Sequence, residues 1–170
     1  MADGPSPQAR RELYTPLERQ RREASPWTLV QGILAPVQFL IFLVSLALVL
    51  RYLLTGAGLE AATASIVLKT LALYAIMITG SLWEKDVFGR YLFAPAFFWE
   101  DMVSMLVLAL HSLYLAALAF GWLSPRGLML LALAAYASYV VNASQFLLKL
   151  RAARRSAPAA AGHAVLGALP

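Results

Sequence analysis

Residues 24–50 read ASPWTLVQGILAPVQFLIFLVSLALVL and contain no charged side chain. A transmembrane helix needs about 20 consecutive apolar residues, so this run is long enough to cross a bilayer. Over all 170 residues, 61% are hydrophobic and 14% are charged, which excludes an ordinary soluble domain. The chain has no cysteine, and this excludes disulfides, cysteine-bound metals and thiol chemistry.

Three further apolar runs follow, over residues 61–83, 95–122 and 127–148. Short polar segments separate them, and prolines preceded by Ser25 and Ser124 mark two helix starts with a capping hydroxyl. Pro95 is predicted to open the third run in the same way. We therefore predict an all-α integral membrane four-helix bundle, with helices over about residues 26–54, 60–83, 95–121 and 125–149.

The ends of the chain differ from this membrane domain, which we place at residues 25–150. Residues 1–24 are polar and basic, and Thr15-Pro16-Leu17-Glu18 has the pattern of a capping box. We predict a short amphipathic helix there, lying on the membrane surface. Residues 151–170 are basic and then rich in Ala, Gly and Pro, as expected of a mobile tail.

Most of the 14 basic residues precede the first helix, follow the fourth, or lie between the second and third. Because cytoplasmic loops carry the excess of Lys and Arg, both termini are predicted to be cytoplasmic. Topology thus explains the net charge of +5, and anionic lipid headgroups rather than nucleic acid are the expected partners.

Two similar tripeptides meet at the predicted cytoplasmic end, Trp83-Glu84-Lys85 and Trp99-Glu100-Asp101. One interpretation is an aromatic belt with interfacial charges. The other is a pocket in which carboxyl groups lie against aromatic walls. Glu100 and Asp101 fall a turn or more inside the apolar run, where an unpaired carboxyl group tends to stay protonated and can act as a general acid.

Lys69 and His111 lie deeper and at comparable levels of neighbouring helices, so they are expected to approach each other. The alternatives are a hydrogen bond across helices for His111, and snorkelling or pairing with Glu60 for Lys69. Glu100 and His111 share one helix face about 16 Å apart, and this spacing suits the two ends of a ligand as broad as a tetrapyrrole.

Several functions lack their motifs: no Gly-rich nucleotide loop, zinc motif or Ser-His-Asp set is present. A bis-histidine haem site is excluded because His111 is the only histidine in a predicted span. An oligomeric transporter that uses Lys69 or Glu100 stays open.

Residues 83–101, WEKDVFGRYLFAPAFFWED, resemble the signature of the 3-vinyl (also called 2-vinyl) bacteriochlorophyllide hydratase family. Residues 13–16, 27–32 and 141–151 resemble the same family. The resemblance implies a lyase of a bacterial inner or intracytoplasmic membrane. Such an enzyme adds water to the ring A vinyl group of chlorophyllide a, or a close relative, and forms a 1-hydroxyethyl group. No cofactor is implied, and magnesium enters only as part of the substrate.

On this basis we assign hypothetical roles. Glu100 or Asp101 is the proton donor, and Glu84 positions and deprotonates the water. His111 ligates the substrate magnesium, while Lys85 or Arg90 meets the propionate. The other expected substrate-binding residues are Trp83, Trp99, Phe97, Phe98, Asn142, Gln145 and Gln31. A non-catalytic pigment carrier or assembly protein is the main alternative, and contacts with neighbouring pigment-synthesis enzymes and a homo-oligomer stay open.

Overall fold

The computed structural model describes residues 13–156, and only the backbone of residues 153–156. Its helices are α1 (Pro16–Ala24), α2 (Pro26–Thr55), α3 (Leu59–Phe88), α4 (Phe98–Phe120) and α5 (Pro125–Ser156). No strand occurs in this part of the chain. Four of the helices, α2 to α5, are long and apolar enough to cross a membrane. The predicted all-α, four-span fold is confirmed.

The first helix, α1, begins with the predicted capping box. The Glu18 amide donates to Thr15 Oγ1 at 3.3 Å, and the Thr15 amide donates to Glu18 Oε2 at 2.8 Å. The two bonds satisfy backbone donors that a helix N-terminus otherwise leaves free. This local signal is therefore sufficient to place the start of α1.

The spanning helices form two hairpins, α2 with α3 and α4 with α5, each packed along its length. The hairpins meet over shorter stretches, where α2 contacts α5 and α3 contacts α4. Each helix thus has two neighbours, and the four enclose a common interior.

Packing and hydrogen bonds hold the hairpins together, because lipid tails are as apolar as the helix surfaces and provide no hydrophobic drive between helices. Leu29, Leu40 and Leu54 are exposed on the outside, as lipid-facing residues are. Inside, Ser45 Oγ contacts Ser65 Oγ at 2.7 Å and the Tyr136 hydroxyl at 2.5 Å. These contacts join α2, α3 and α5.

Three boundaries differ by more than one residue from the sequence-based prediction, and one of them is the end of α5, at Ser156 rather than near residue 149. The third helix of the structure, α3, continues to Phe88, and Gly89 ends it at a φ of 76° that suits glycine. The next helix, α4, begins at Phe98 and not at Pro95, because residues 94–97 form a turn in which the Phe97 amide donates to the Ala94 carbonyl. Glu100 and Asp101 consequently lie in the first turn of α4 rather than deeper.

One predicted cap is wrong and one is confirmed. Ser25 precedes α2, but its hydroxyl donates to Asp86 Oδ2 at 2.8 Å and caps no amide. Ser124 Oγ accepts from the Gly127 amide at 3.2 Å, as predicted. Residues 151–156 continue α5. The rest of the predicted tail, and residues 1–12, lie outside the described range.

Phe42 is the aromatic contact between the hairpins, with ring centroids 5.4 Å from Tyr136 and 4.9 Å from Tyr139. We expect Phe42→Ala to lower the free energy of unfolding by about 3 kcal/mol, because it leaves a cavity at this contact. Thermal unfolding in detergent measures the loss. Phe39→Ala is the control, since Phe39 is 46% exposed on the same helix; an equal loss in both variants would contradict the assignment.

Candidate functional site

Three carboxyl groups are buried together at one end of the bundle, which we call the acidic end. Glu84 is 5% exposed near the end of α3, and Glu100 and Asp101 are 7% and 4% exposed at the start of α4. The two acidic tripeptides therefore meet at one end of the bundle, as predicted. Two of the acids, Glu84 and Asp101, form a pair, and the third, Glu100, forms an ion pair with a lysine.

Glu84 and Asp101 form the pair. The Phe93 amide donates to Asp101 Oδ2 at 2.8 Å, and the next amide, Ala94, donates to Glu84 Oε2 at 3.2 Å. The two carboxyl groups also lie within hydrogen-bonding reach of each other. Since a hydrogen bond between two carboxyl groups requires a proton on one of them, this geometry suits a group that both gives and accepts a proton.

The backbone of the connecting segment, residues 89–97, is shaped to make these contacts. Phe93 has a φ of 59°, the left-handed conformation that bulky residues rarely adopt. Successive amides in such a bend point to one side and can hold negatively charged oxygens. Strained backbone of this kind concentrates at functional sites.

Glu100 has a different partner. Lys149 Nζ, from α5, donates to Glu100 Oε2 at 2.5 Å and also to the Ala96 carbonyl. The same ammonium lies 4.9 Å from the centroid of the Phe97 ring. Glu100 is therefore a charge-paired carboxylate, and the geometry favours Asp101 over Glu100 as the proton donor.

Aromatic side chains cover the acidic end. Phe97 is buried, with ring centroids 5.7 to 5.9 Å from three neighbours, Trp83, Phe88 and Phe146. Tyr14, just before α1, stacks on Phe88 at 5.9 Å, and its burial raises the pKa of its hydroxyl. Because its hydroxyl stays neutral and its ring is buried, Tyr14 packs the N-terminal segment against the bundle.

Phe98 and Trp99 point outward instead, and Trp99 is 71% exposed. A cleft of about 320 Å³ opens at this end and is lined by Leu13, Glu18, Phe88, Pro95 and Ala96. None of the three buried carboxyl groups lines it. The expected slot against aromatic walls is thus not open at the carboxyl pair.

Three other predicted ligands, Lys85, Arg90 and Gln31, also lie towards this end. Lys85 is exposed, 5.1 Å from the Tyr91 ring centroid, and donates to the Gly89 carbonyl at 3.3 Å. Arg90 is exposed as well. Gln31 Nε2 donates to Thr79 Oγ1 at 2.7 Å and thereby joins α2 to α3. Gln31 therefore makes a structural contact between two helices in this arrangement.

Lys69 and His111 are fully buried in the interior. Lys69 Nζ lies 3.8 Å from the centroid of the Tyr139 ring. It is fully buried without a hydrogen-bond partner among the described residues, so neither alternative for Lys69, snorkelling or pairing with Glu60, is present. His111 Nδ1 contacts the Val107 carbonyl of its own helix at 2.8 Å, and not a neighbouring helix. Within residues 13–156 no group of three His, Asp or Glu side chains is placed to hold a metal ion.

Sequence reasoning missed Lys149 and the two amides. Gln145 follows Asn142 by three residues and Lys149 follows Gln145 by four, which places all three on one helix face. That spacing could have identified Lys149 as a candidate site residue from the sequence. The amides of Phe93 and Ala94 gave none, because every residue except proline carries the same group.

Comparison with known proteins finds one family and relatives of the same description. The family model described as 2-vinyl bacteriochlorophyllide hydratase matches residues 14–152. A 2-vinyl bacteriochlorophyllide hydratase from Rhodobacter capsulatus is 62% identical over 158 residues, which cover 92% of this chain and 91% of the relative. One of the same description from Cereibacter sphaeroides is 64% identical over 151 residues, covering 88% and 93%. No solved structure matches the chain.

Lys149 is expected to stabilise the acidic end through its two donated hydrogen bonds. Lys149→Met should lower the free energy of unfolding by about 2 kcal/mol, because it leaves Glu100 buried without its cation. Thermal unfolding tests this. Lys149→Arg should retain most of the stability, and Arg151→Met, an exposed change on the same helix, is the control. A loss in Arg151→Met as large as in Lys149→Met would remove the assignment.

Proposed function

The chain belongs to the 2-vinyl bacteriochlorophyllide hydratase family, and on that premise we propose that the Glu84–Asp101 pair carries out the hydration. The protein is a hydro-lyase that adds water to a vinyl group in bacteriochlorophyll synthesis. The proposed substrate is chlorophyllide a or a close relative, with its vinyl group on ring A. The proposed product carries a 1-hydroxyethyl group at that position.

The observation that carries the mechanism is the buried carboxyl pair held by consecutive amides. Hydration of an alkene needs a proton for one carbon and water for the other, and it needs no change of oxidation state. A pair that shares one proton supplies both the acid and the base. Burial at the acidic end keeps bulk water from competing for that proton.

In the proposed first step, Asp101 gives its proton to the terminal vinyl carbon, and the electron pair of the double bond forms the new C–H bond. Positive charge develops on the carbon attached to the ring, where the macrocycle delocalises it. Both carboxyl groups are then ionised. The Phe93 and Ala94 amides stabilise them, and their negative charge in turn stabilises the cation.

In the second step, a water oxygen bonds to the cationic carbon while Glu84 takes one water proton. That proton returns to Asp101 across the hydrogen bond of the pair. The product has gained one hydrogen and one hydroxyl group, and the pair again holds one proton. Each turnover therefore consumes one vinyl pigment and one water, and needs no other reactant.

The pigment is proposed to approach from the lipid side of the acidic end. Phe98 and Trp99 are exposed beside Asp101 and offer flat apolar surfaces to a macrocycle. Lys85 and Arg90, exposed at the same end, are the proposed partners of the propionate. The distribution of basic residues supports a cytoplasmic position for this end, in the inner or intracytoplasmic membrane.

A pigment carrier is the second candidate function, and His111 favours it. With Nδ1 bonded to the Val107 carbonyl, Nε2 presents the lone pair that a magnesium ligand needs. Ten residues, about 15 Å of helix, separate His111 from Asp101. Magnesium lies at the centre of a macrocycle and ring A at its rim. Anchoring of the pigment through magnesium at His111 and anchoring through ring A at the carboxyl pair are therefore alternatives.

Incubation of the membrane protein with vinyl chlorophyllide in ¹⁸O-labelled water tests the hydration. We expect one labelled hydroxyethyl oxygen in the product. Asp101→Asn and Glu84→Gln should each lower the rate by about 10²- to 10⁴-fold, the range for loss of a general acid or base. Glu60→Gln, an exposed change at the opposite end, is the control. Labelled product at the wild-type rate in both variants would refute the role of the pair.

His111→Ala separates the two anchoring points. If ring A binds at the pair, the variant should bind vinyl chlorophyllide with an affinity close to wild type, because the anchoring contacts lie at the acidic end. Pigment titration followed by absorbance, in protein shown to be inserted and folded, measures this. A marked loss of affinity would assign the magnesium to His111 and favour the carrier.

A further inference from the structure

A series of polar side chains leads from the carboxyl pair into the bundle. Ser104 lies one turn beyond Asp101 on α4, and Asn142 Nδ2 donates to its hydroxyl at 2.8 Å. Tyr139, one turn from Asn142 on α5, contacts the Lys69 ammonium. His111 follows, with its ring centroid 5.9 Å from that of Tyr136. Gln38 of α2 and Gln145 of α5 also bury polar atoms in the bundle. We call Ser104, Asn142, Lys69 and His111, together with these two amides, the polar column.

Hydrogen-bonding atoms along this column are buried without a partner among residues 13–156. Two of them are donors, Gln38 Nε2 and Lys69 Nζ. Two amide oxygens, Asn142 Oδ1 and Gln145 Oε1, are acceptors. His111 Nε2 is a third acceptor when Nδ1 donates to the Val107 carbonyl. The unpaired atoms come from all four spanning helices.

The mixture of donors and acceptors identifies the ligand. An anion would satisfy the ammonium and leave the amide oxygens unpaired, and a cation would do the reverse. Water donates and accepts, and buried water molecules typically bond to polar groups that lack a protein partner. The column also extends towards the pair along two helices, because Ser104 lies three residues from Asp101 on α4 and Gln145 lies one turn from Asn142 towards the acidic end.

We propose that the polar column binds ordered water and delivers it to the Glu84–Asp101 pair from inside the bundle. The inference rests on the proposed hydration, in which water is the second substrate. The pair is buried beneath the 89–97 segment, and a bound macrocycle would cover its remaining side. Water stored on the interior side reaches the reacting carbon without crossing the pigment.

Radiolytic hydroxyl-radical labelling in ¹⁸O water tests the binding of water independently of activity. Radicals form from water at the site, so side chains beside bound water are labelled even when bulk solvent does not reach them. The full chain in lipid nanodiscs should show labelling of Tyr139 and His111 several-fold faster than of Met129. Met129 is fully buried in the apolar core of α5 and has the more reactive side chain, so it is a stringent control. Equal or slower labelling of Tyr139 and His111 would overturn the inference.

Asn142→Leu tests delivery. The variant keeps the approximate volume but removes both hydrogen-bonding atoms, and we expect kcat to fall about tenfold while KM for the pigment is unchanged. Asn142→Ser, which supplies a hydroxyl group that both donates and accepts, should restore most of the rate. Ser138→Ala is the control on the same helix, because the Ser138 hydroxyl donates to the Ala135 carbonyl of that helix at 2.7 Å and not to another helix. A wild-type kcat in Asn142→Leu, or a rise in KM alone, would overturn delivery through the column.

The two proposals fail separately. If Tyr139 and His111 are labelled but the protein forms no hydroxyethyl product, the proposed function is refuted and the water-binding column is still supported. Labelled product without interior labelling would refute the column alone.

Discussion

Two neighbouring amide groups, those of Phe93 and Ala94, hold the carboxyl groups of Asp101 and Glu84 together at the acidic end. Two buried acids repel each other when both are ionised, so their approach depends on donors that offset the charge. The rest of this end follows from that requirement. The end of α3 at Gly89, the left-handed Phe93 and the start of α4 at Phe98 all bring the two amides to one side.

The same constraint explains why the site has a separate cation. Lys149 neutralises Glu100 and, through the Ala96 carbonyl, ties α5 to the 89–97 segment. Without that ion pair a third carboxylate would face the other two in a buried setting. The basic residue therefore stabilises both the charge balance and the conformation of the segment that presents the amides.

The interior between the hairpins is polar because membrane helices associate under different rules from soluble ones. Apolar surfaces gain little from leaving lipid, whereas serine, asparagine and tyrosine hydroxyl or amide groups gain partners across helices. The contacts Ser45–Tyr136 and Ser104–Asn142 illustrate this. Lys69, Gln38 and His111 lie along the same region but keep unpaired atoms, which is the physical basis for assigning bound water there.

Local chemistry already encoded in the chain accounts for four apolar helices, the Thr15–Glu18 capping box and the gathering of Glu84, Glu100 and Asp101 at one end. Hydropathy and capping depend on near neighbours, and acids close in topology must end near the same membrane face. Contacts between residues far apart in the sequence determined which side chains pair with each other. Ser25 bonds Asp86 across 61 residues, Lys149 pairs with Glu100 across 49, and Lys69 lies against Tyr139. Such partners depend on how α5 rotates against α3 and α4, and no local pattern specifies that rotation.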